Sequence, residues 1–276
     1  MMKSLTQAFA VPDDTGSLLP CGLCKARAHG VCSAVAGPDL RRLAALARIV
    51  EVSRGQTFVH EDAPADHFYV LIVGSAKLYK LLPDGRRQII GFEHANSFLG
   101  LSASGSYPFS AEALESIRMC RMPRAGLQAM FRDFPVMQRR LLELTVDELA
   151  RAQEQMLLLG RKTAIERVAS FLLSQATRAR PQGAQKLRVH LRMSRRDVAD
   201  YLGLADETVT RSLAKLTNLG VITIPNVHEV VILDPLRLEA VDQGDFDASR
   251  RISALKGVNA ARCEPQYSNE SFQKAI

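Results

Sequence analysis

Three cysteines stand close together near the start of the chain: Cys21-Gly-Leu-Cys24 and, seven residues further on, Cys32. A C-x2-C pair with a third thiol nearby is the pattern of a metal site in a reducing compartment, because thiolates are soft ligands for zinc and for iron–sulfur clusters. Such sites ordinarily take four protein ligands. Cys120, Cys263 and His29 are the available fourth ligands, the histidine because zinc accepts three cysteines and one imidazole. The competing reading is three unrelated thiols, and the C-x2-C spacing weighs against it.

A second constellation lies in Ser194–Leu216, which reads as helix, tight turn, helix. Ser194 is an N-cap candidate with Asp197 three residues on. Val198, Ala199 and Leu202 give an apolar face, Gly203 supplies the turn, and Leu204 plugs it. The second helix buries Val209, Leu213 and Leu216 and presents Glu207, Thr210 and Arg211 on its other side. Arg can grip guanine O6 and N7 in the major groove, and Glu can accept from a cytosine amino group. Thr208, and Arg195 and Arg196 at the start of the first helix, complete the candidate DNA contacts. The alternative is an exposed i, i+4 salt bridge between Glu207 and Arg211.

Composition sets the frame for both sites. The 276 residues have room for two domains plus extensions, and the formal charge is +7. Residues 161–236 hold 12 Lys and Arg against 7 Asp and Glu, a net +5, so positive charge gathers around the two helices. No apolar run reaches 18 residues and the N-terminus lacks a secretory pattern. The expectation is a cytoplasmic protein without a membrane partner, its thiols reduced or metal-bound. No nucleophile–His–acid set and no glycine-rich phosphate loop is present, so no enzyme is expected.

The elements that must carry these residues follow in order. Residues 1–35 are an N-terminal arm with the cysteine cluster, its first 20 residues polar, small and mobile. In residues 36–135, a short helix from Pro38 leads into short β segments: Thr57–Val59, Phe68–Val73, Ala76–Leu81, Gln88–Phe92 and Ile117–Met122. Turn signals separate them, including Pro83-Asp84-Gly85, whose basic tip Arg86-Arg87 reads as a solvated turn. The fold class expected is α+β: an antiparallel jelly-roll or β-roll, then a long helix, then a winged helix-turn-helix. Over 136–160, Leu142, Leu149 and Met156 are seven apart, with Thr145, Ala152 and Leu159 three beyond each: an a/d seam fit for a homodimer. Leu141, Leu144 and Leu157 give a second apolar face. Residues 161–236 are the winged DNA-binding domain, its wing Val221–Ile224 and Val230–Leu233. Residues 237–276 lose periodicity and read as a disordered tail.

This order of parts resembles the CRP/FNR superfamily of transcription regulators over roughly residues 20–235. The motifs that carry it are D-H-F-Y-V-L-I-V-G at 66–74, K-L-Y-K-L-L-P-D-G-R-R-Q-I-I-G-F at 77–92, A-L-E-S-I-R-M-C-R-M-P at 113–123, A-I-E-R-V-A-S-F-L at 164–172 and L-G-L-A-D-E-T-V-T-R at 202–211. They are most similar to the oxygen-sensing FNR/FnrN/FixK branch. The resemblance implies a cyclic-nucleotide-binding-like roll holding a 4Fe–4S cluster on Cys21, Cys24, Cys32 and Cys120. It implies a homodimer that binds a two-fold TTGAT…ATCAA operator and contacts RNA polymerase, activating genes when oxygen is scarce. Glu207-x-x-Thr210-Arg211 stands where that branch resembles Glu-x-x-Ser-Arg. The cyclic-nucleotide branch resembles an Arg-Ser pair at the phosphate; here Phe109 precedes Ser110, so no cyclic nucleotide is expected. Rival readings are a regulator of the same class with zinc or no metal, and an iron–sulfur electron carrier.

Overall fold

A computed structural model describes residues 11–12, 18–19, 21, 24–28, 30–179 and 187–245. His29, Cys263 and the tail beyond 245 lie outside them. The chain forms two compact units, residues 1–160 with 192–206 and residues 161–191 with 207–276.

In the first unit the arm holds a small antiparallel pair, β1 (Val11–Pro12) and β2 (Leu18–Leu19), where no regular element was expected. Two 3₁₀ turns follow, Lys25–Ala28 and Val31–Ala34, then α1 (Pro38–Leu46), opened by proline at its first position. The roll comprises β3 (Arg48–Val52), β4 (Thr57–Val59), β5 (His67–Val73), β6 (Ala76–Leu81), β7 (Arg87–Glu93), β8 (Phe98–Leu99), β9 (Ser110–Ala113) and β10 (Ile117–Pro123). They pair antiparallel as two four-stranded sheets, β3-β10-β5-β8 and β4-β9-β6-β7. The two-residue period of a strand sorts side chains between two cores. Tyr69 and Leu71 of β5 and Met119 of β10 enter the core between the sheets, with Leu78 and Ala111. Phe68, Val70 and Met122 face the opposite way, into a second core closed by α1, by α2 (Arg124–Asp133) and by the start of α3 (Pro135–Arg161). Gly74 turns β5 into β6 at φ +94°; an added Cβ would stand 2.7 Å from Ile117 Cγ2, so the turn admits only glycine.

Helix α3 spans 27 residues, about 40 Å at 1.5 Å per residue. Met137, Leu141 and Leu144 pack into the second core. Leu157 does not join them as expected: it is exposed, because its angular position turns it away from the roll.

The first unit also contains residues 192–206, with α5 (Arg195–Leu202). Helix α5 lies along β7 and covers Lys77, whose neighbours Ala76 and Leu78 point into the roll. A lysine on the outward face of a strand is thereby buried, at 6% exposure. Its Nζ lies 3.0 Å from Glu112 and 2.9 Å from Asp197, and Arg87 reaches Asp197 at 2.9 Å and Asp200 at 2.7 Å. Arg87 is therefore not the solvated tip residue its turn suggested. Burial alone would raise the Asp197 carboxyl, but hydrogen bonds from Lys77 and Ser194 outweigh it and hold it below the usual carboxylate range. A lowered folded value means the network stabilises above the ordinary aspartate range and is lost as pH falls through its own. Lys77→Met leaves carboxylates buried with fewer partners and is expected to cost about 3 kcal/mol, the low end for breaking a buried pair because Arg87 remains. Urea denaturation at neutral pH checks this; a loss under about 1 kcal/mol would match an exposed pair instead.

The second unit packs α4 (Ala164–Ala179) against α7 (Pro235–Asp242) and the sheet β11-β13-β12, made of β11 (Leu187–His190), β12 (Ile222–Asn226) and β13 (Glu229–Ile232). Helix α6 (Asp206–Asn218) contributes buried Val209, Leu213 and Leu216. Helix α7 corrects the expectation that order ends at 236. Asp234 caps it, accepting from Arg237 N, Pro235 occupies its first position, and Leu238 and Val241 are buried.

Candidate cysteine centre and nucleic-acid interface

Cys24 precedes the first 3₁₀ turn, Cys32 lies in the second, and Cys120 sits in mid-β10 opposite Ile49 of β3 and Val70 of β5. All four thiols, Cys21 included, are free and pack against the second core. An arm and a strand about 90 residues apart in sequence thus bring their sulfurs into one neighbourhood. Burial pushes Cys21 up to about 11, with Cys24 adding to it, and Cys32 up to about 12, with Cys21 and Cys24 adding. Cys120 is raised further, by burial first and then by Cys32, Cys21 and Cys24. Three thiols feel their neighbours, which is what a shared site requires. Among the described residues, however, no three ligand-type side chains stand at coordinating spacing. The donor set, four half-buried soft ligands, fits a 4Fe–4S cluster or zinc.

The segment Ser194–Leu216 forms its two helices as its sequence implies. Ser194 and Asp197 form a reciprocal capping box: Asp197 N donates to Ser194 Oγ at 3.1 Å, and Ser194 N to Asp197 Oδ2 at 3.0 Å. Gly203 is left-handed at φ 61°, and Leu204 N donates to Ala199 O, closing the turn. Leu204 is half-buried rather than the buried plug the sequence implies. Glu207, Thr210 and Arg211 are exposed on α6 and Thr208 is half-buried. Arg211 points to Thr208 Oγ1 at 3.4 Å, and no ion pair joins it to Glu207 among the described residues. Arg196 is exposed; Arg195 is half-buried, and burial lowers its guanidinium from the ordinary value. The seam residues Leu142, Thr145, Leu149, Ala152 and Met156 are exposed, Leu149 at 58% and Met156 at 69%, and Leu159 is half-buried. The carboxylates facing Lys77 and Arg87 escaped sequence reasoning. The one available signal was a lysine between two core residues of β6.

No helix among the described residues is long and apolar enough to cross a membrane. The cyclic nucleotide-binding domain family matches residues 49–134 and the Crp-like helix-turn-helix domain family residues 166–241. The nitrogen fixation regulation protein FixK of Bradyrhizobium diazoefficiens is 41% identical over 80% of this chain and 93% of its own length. The transcriptional activator protein FnrL of Cereibacter sphaeroides is 36% identical over 82% and 93%. The solved structure of FixK2 from Bradyrhizobium japonicum superposes with a TM-score of 0.67 at 37% identity, covering 71% of this chain and 97% of that one. These relatives are regulators rather than enzymes, and the antiparallel roll followed by a helix-turn-helix is their architecture. The chain therefore belongs to the CRP/FNR family of transcription regulators and is a DNA-binding activator of the FixK and FnrL type.

Proposed function

We propose that this chain is an oxygen-responsive activator of the cytoplasm that binds a TTGAT…ATCAA-type operator as a homodimer and works with RNA polymerase. The observation that carries the reading is the gathering of Cys21, Cys24, Cys32 and Cys120 on one core. Those four residues would hold a 4Fe–4S cluster, which supplies an oxygen-labile set of iron–sulfide bonds. The coupling to DNA belongs to the chain itself. The core under the thiols is also the seat of Met137, Leu141 and Leu144, the first turns of α3. How the arm packs on β10 therefore bears on the helix whose far side carries the apolar seam. The signal acts only through a difference in free energy between dimeric and monomeric arrangements.

Cyclic nucleotide has no part in the reading. Phe109 is half-buried against the core of the roll in front of Ser110, where a phosphate would need a cation. The same four thiols also suit tetrahedral zinc, the second reading. Anaerobic purification with iron and sulfide counts, followed by operator binding before and after air, separates the two. Zinc without sulfide, and binding indifferent to air, defeats the oxygen reading.

The seam gives a separate expectation. Leu149→Glu places like charges across a two-fold axis and is expected to leave a monomer with its metal content unchanged, the cysteines being elsewhere. Sedimentation at micromolar concentration checks it; a dimer of wild-type affinity rejects the seam.

A further inference from the structure

The loop between Cys24 and Cys32 is closed by one side chain. Arg27 N donates to Cys24 O at 3.0 Å, anchoring the first 3₁₀ turn to its cysteine. Arg27 Nη2 donates to Val35 O at 2.8 Å, and Val35 N donates in turn to Cys32 O at 3.3 Å. Arg27 thus ties the turn after Cys24 to the end of the turn that carries Cys32. Its Nε is buried without an acceptor among the described residues. A buried guanidinium N–H is rarely left so.

Four thiolates around a divalent ion or an iron–sulfur core leave excess negative charge in a half-buried place. A cation with a spare donor beside them is what such a site needs, and outer-shell donors orient ligands and tune the centre. We propose that Arg27 is the positioning and charge-balancing residue of the cysteine centre, holding the Cys24–Cys32 loop closed and offering its remaining buried N–H to the ligand sulfurs. That the centre takes a metal rests on the reading above; which metal does not matter to Arg27.

The test uses the full chain, prepared anaerobically, with zinc competed against a chromophoric chelator as the first probe. Arg27→Gln removes charge and fork and is expected to weaken zinc binding about tenfold or more, within the usual range for outer-shell partners. Arg27→Lys keeps the charge and loses the planar fork, so it is expected to recover part of that loss. In samples reconstituted with iron and sulfide, Arg27→Gln shifts the midpoint potential negative, because a lost cation disfavours the more reduced centre, and Arg27→Lys restores it. A purely packing role would not track charge in this way. Zinc affinity of Arg27→Gln within threefold of wild type overturns the proposal. If that variant does not fold, Arg27→Met, which keeps an apolar stem and removes the charge, takes its place, and zinc affinity within threefold of wild type there overturns the proposal equally. Failure of the wild type to take up iron and sulfide while binding zinc tightly defeats the cluster reading and leaves the Arg27 test standing.

Discussion

Cys120→Ser is expected to abolish the anaerobic chromophore and operator binding together, as completely as Cys24→Ser, while Cys263→Ser changes neither. The hydroxyl is nearly isosteric with the thiol but is a poor ligand for a soft metal. Cys120 lies mid-strand in β10, between β3 and β5, with its thiol turned toward the core that the arm covers. Serine there keeps the strand ladder, so unfolding of the roll should move by no more than about 1 kcal/mol. The variant thus separates ligation from folding, which deletion of the arm would not. Loss on Cys263→Ser equal to that on Cys120→Ser would place the fourth ligand in the tail instead. Retention of the chromophore in Cys120→Ser would remove β10 from the site and with it the link from the arm to α3.

The second large effect is at the base-reading face. Arg211 and Glu207 are expected to read one G·C pair in each half-site from its two strands. A good bidentate contact is worth about 1–3 kcal/mol of discrimination. At about 1.5–2 kcal/mol per half-site, the two-fold dimer loses about 3–4 kcal/mol on Arg211→Ala, roughly two to three decades of operator affinity. Non-specific binding falls far less, because it depends on phosphate contacts from other cations, and its salt slope stays near wild type. Glu207→Ala behaves differently. It removes an acceptor and a negative charge, so preference at that pair relaxes while affinity for altered sites holds or rises. The surface-salt-bridge alternative already lacks its contact, since Arg211 turns to Thr208 and not to Glu207. Titrations of wild type and both variants on the operator, and on one substituted at the G·C pair, decide the matter. Unchanged sequence preference in both variants rejects the assignment of these residues.

Much of this architecture is legible in the sequence where local rules and global fold agree. Ser194, Asp197 and Gly203 mark the start and end of α5 because a capping box and an αL glycine are local devices, complete within ten residues. The strands Thr57–Val59 and Ala76–Leu81 stand at the bounds their composition implies. Strand β9, Ser-Ala-Glu-Ala, carries no β-branched or aromatic residue and is a strand only because β4 and β6 pair with it. Helices α2 and α7 did carry signals: Leu127, Met130 and Phe131 at helical spacing, and Asp234-Pro235 as cap and first turn. Those signals were outweighed by the longer elements beside them. Asp197 and Asp200, which with Glu112 neutralise Lys77 and Arg87, lie 110 to 120 residues away from them, and no periodicity within a window reaches that far. At the cysteines the spacing Cys21-x2-Cys24-x7-Cys32 is legible as a metal site, but Arg27 reads there as one more charge in a basic stretch. Its meaning comes from the carbonyl it reaches.

Asp197 has consequences for how this sequence can drift. Its two oxygens take Lys77 and Arg87 on one side and both donors of Ser194 on the other. One carboxylate is at once the cap of a helix and the counter-charge of two cations on a different element. Alanine cannot replace it, because the capping-box partner of Ser194 and the counter-charge of Lys77 and Arg87 are lost together. Nor can either cation be lost alone without stranding a buried charge. Positions 77, 87, 194 and 197 therefore constitute a single heritable unit: substitutions among them are strongly epistatic, single steps away are deleterious, and a lineage that abandons the arrangement must cross a fitness valley.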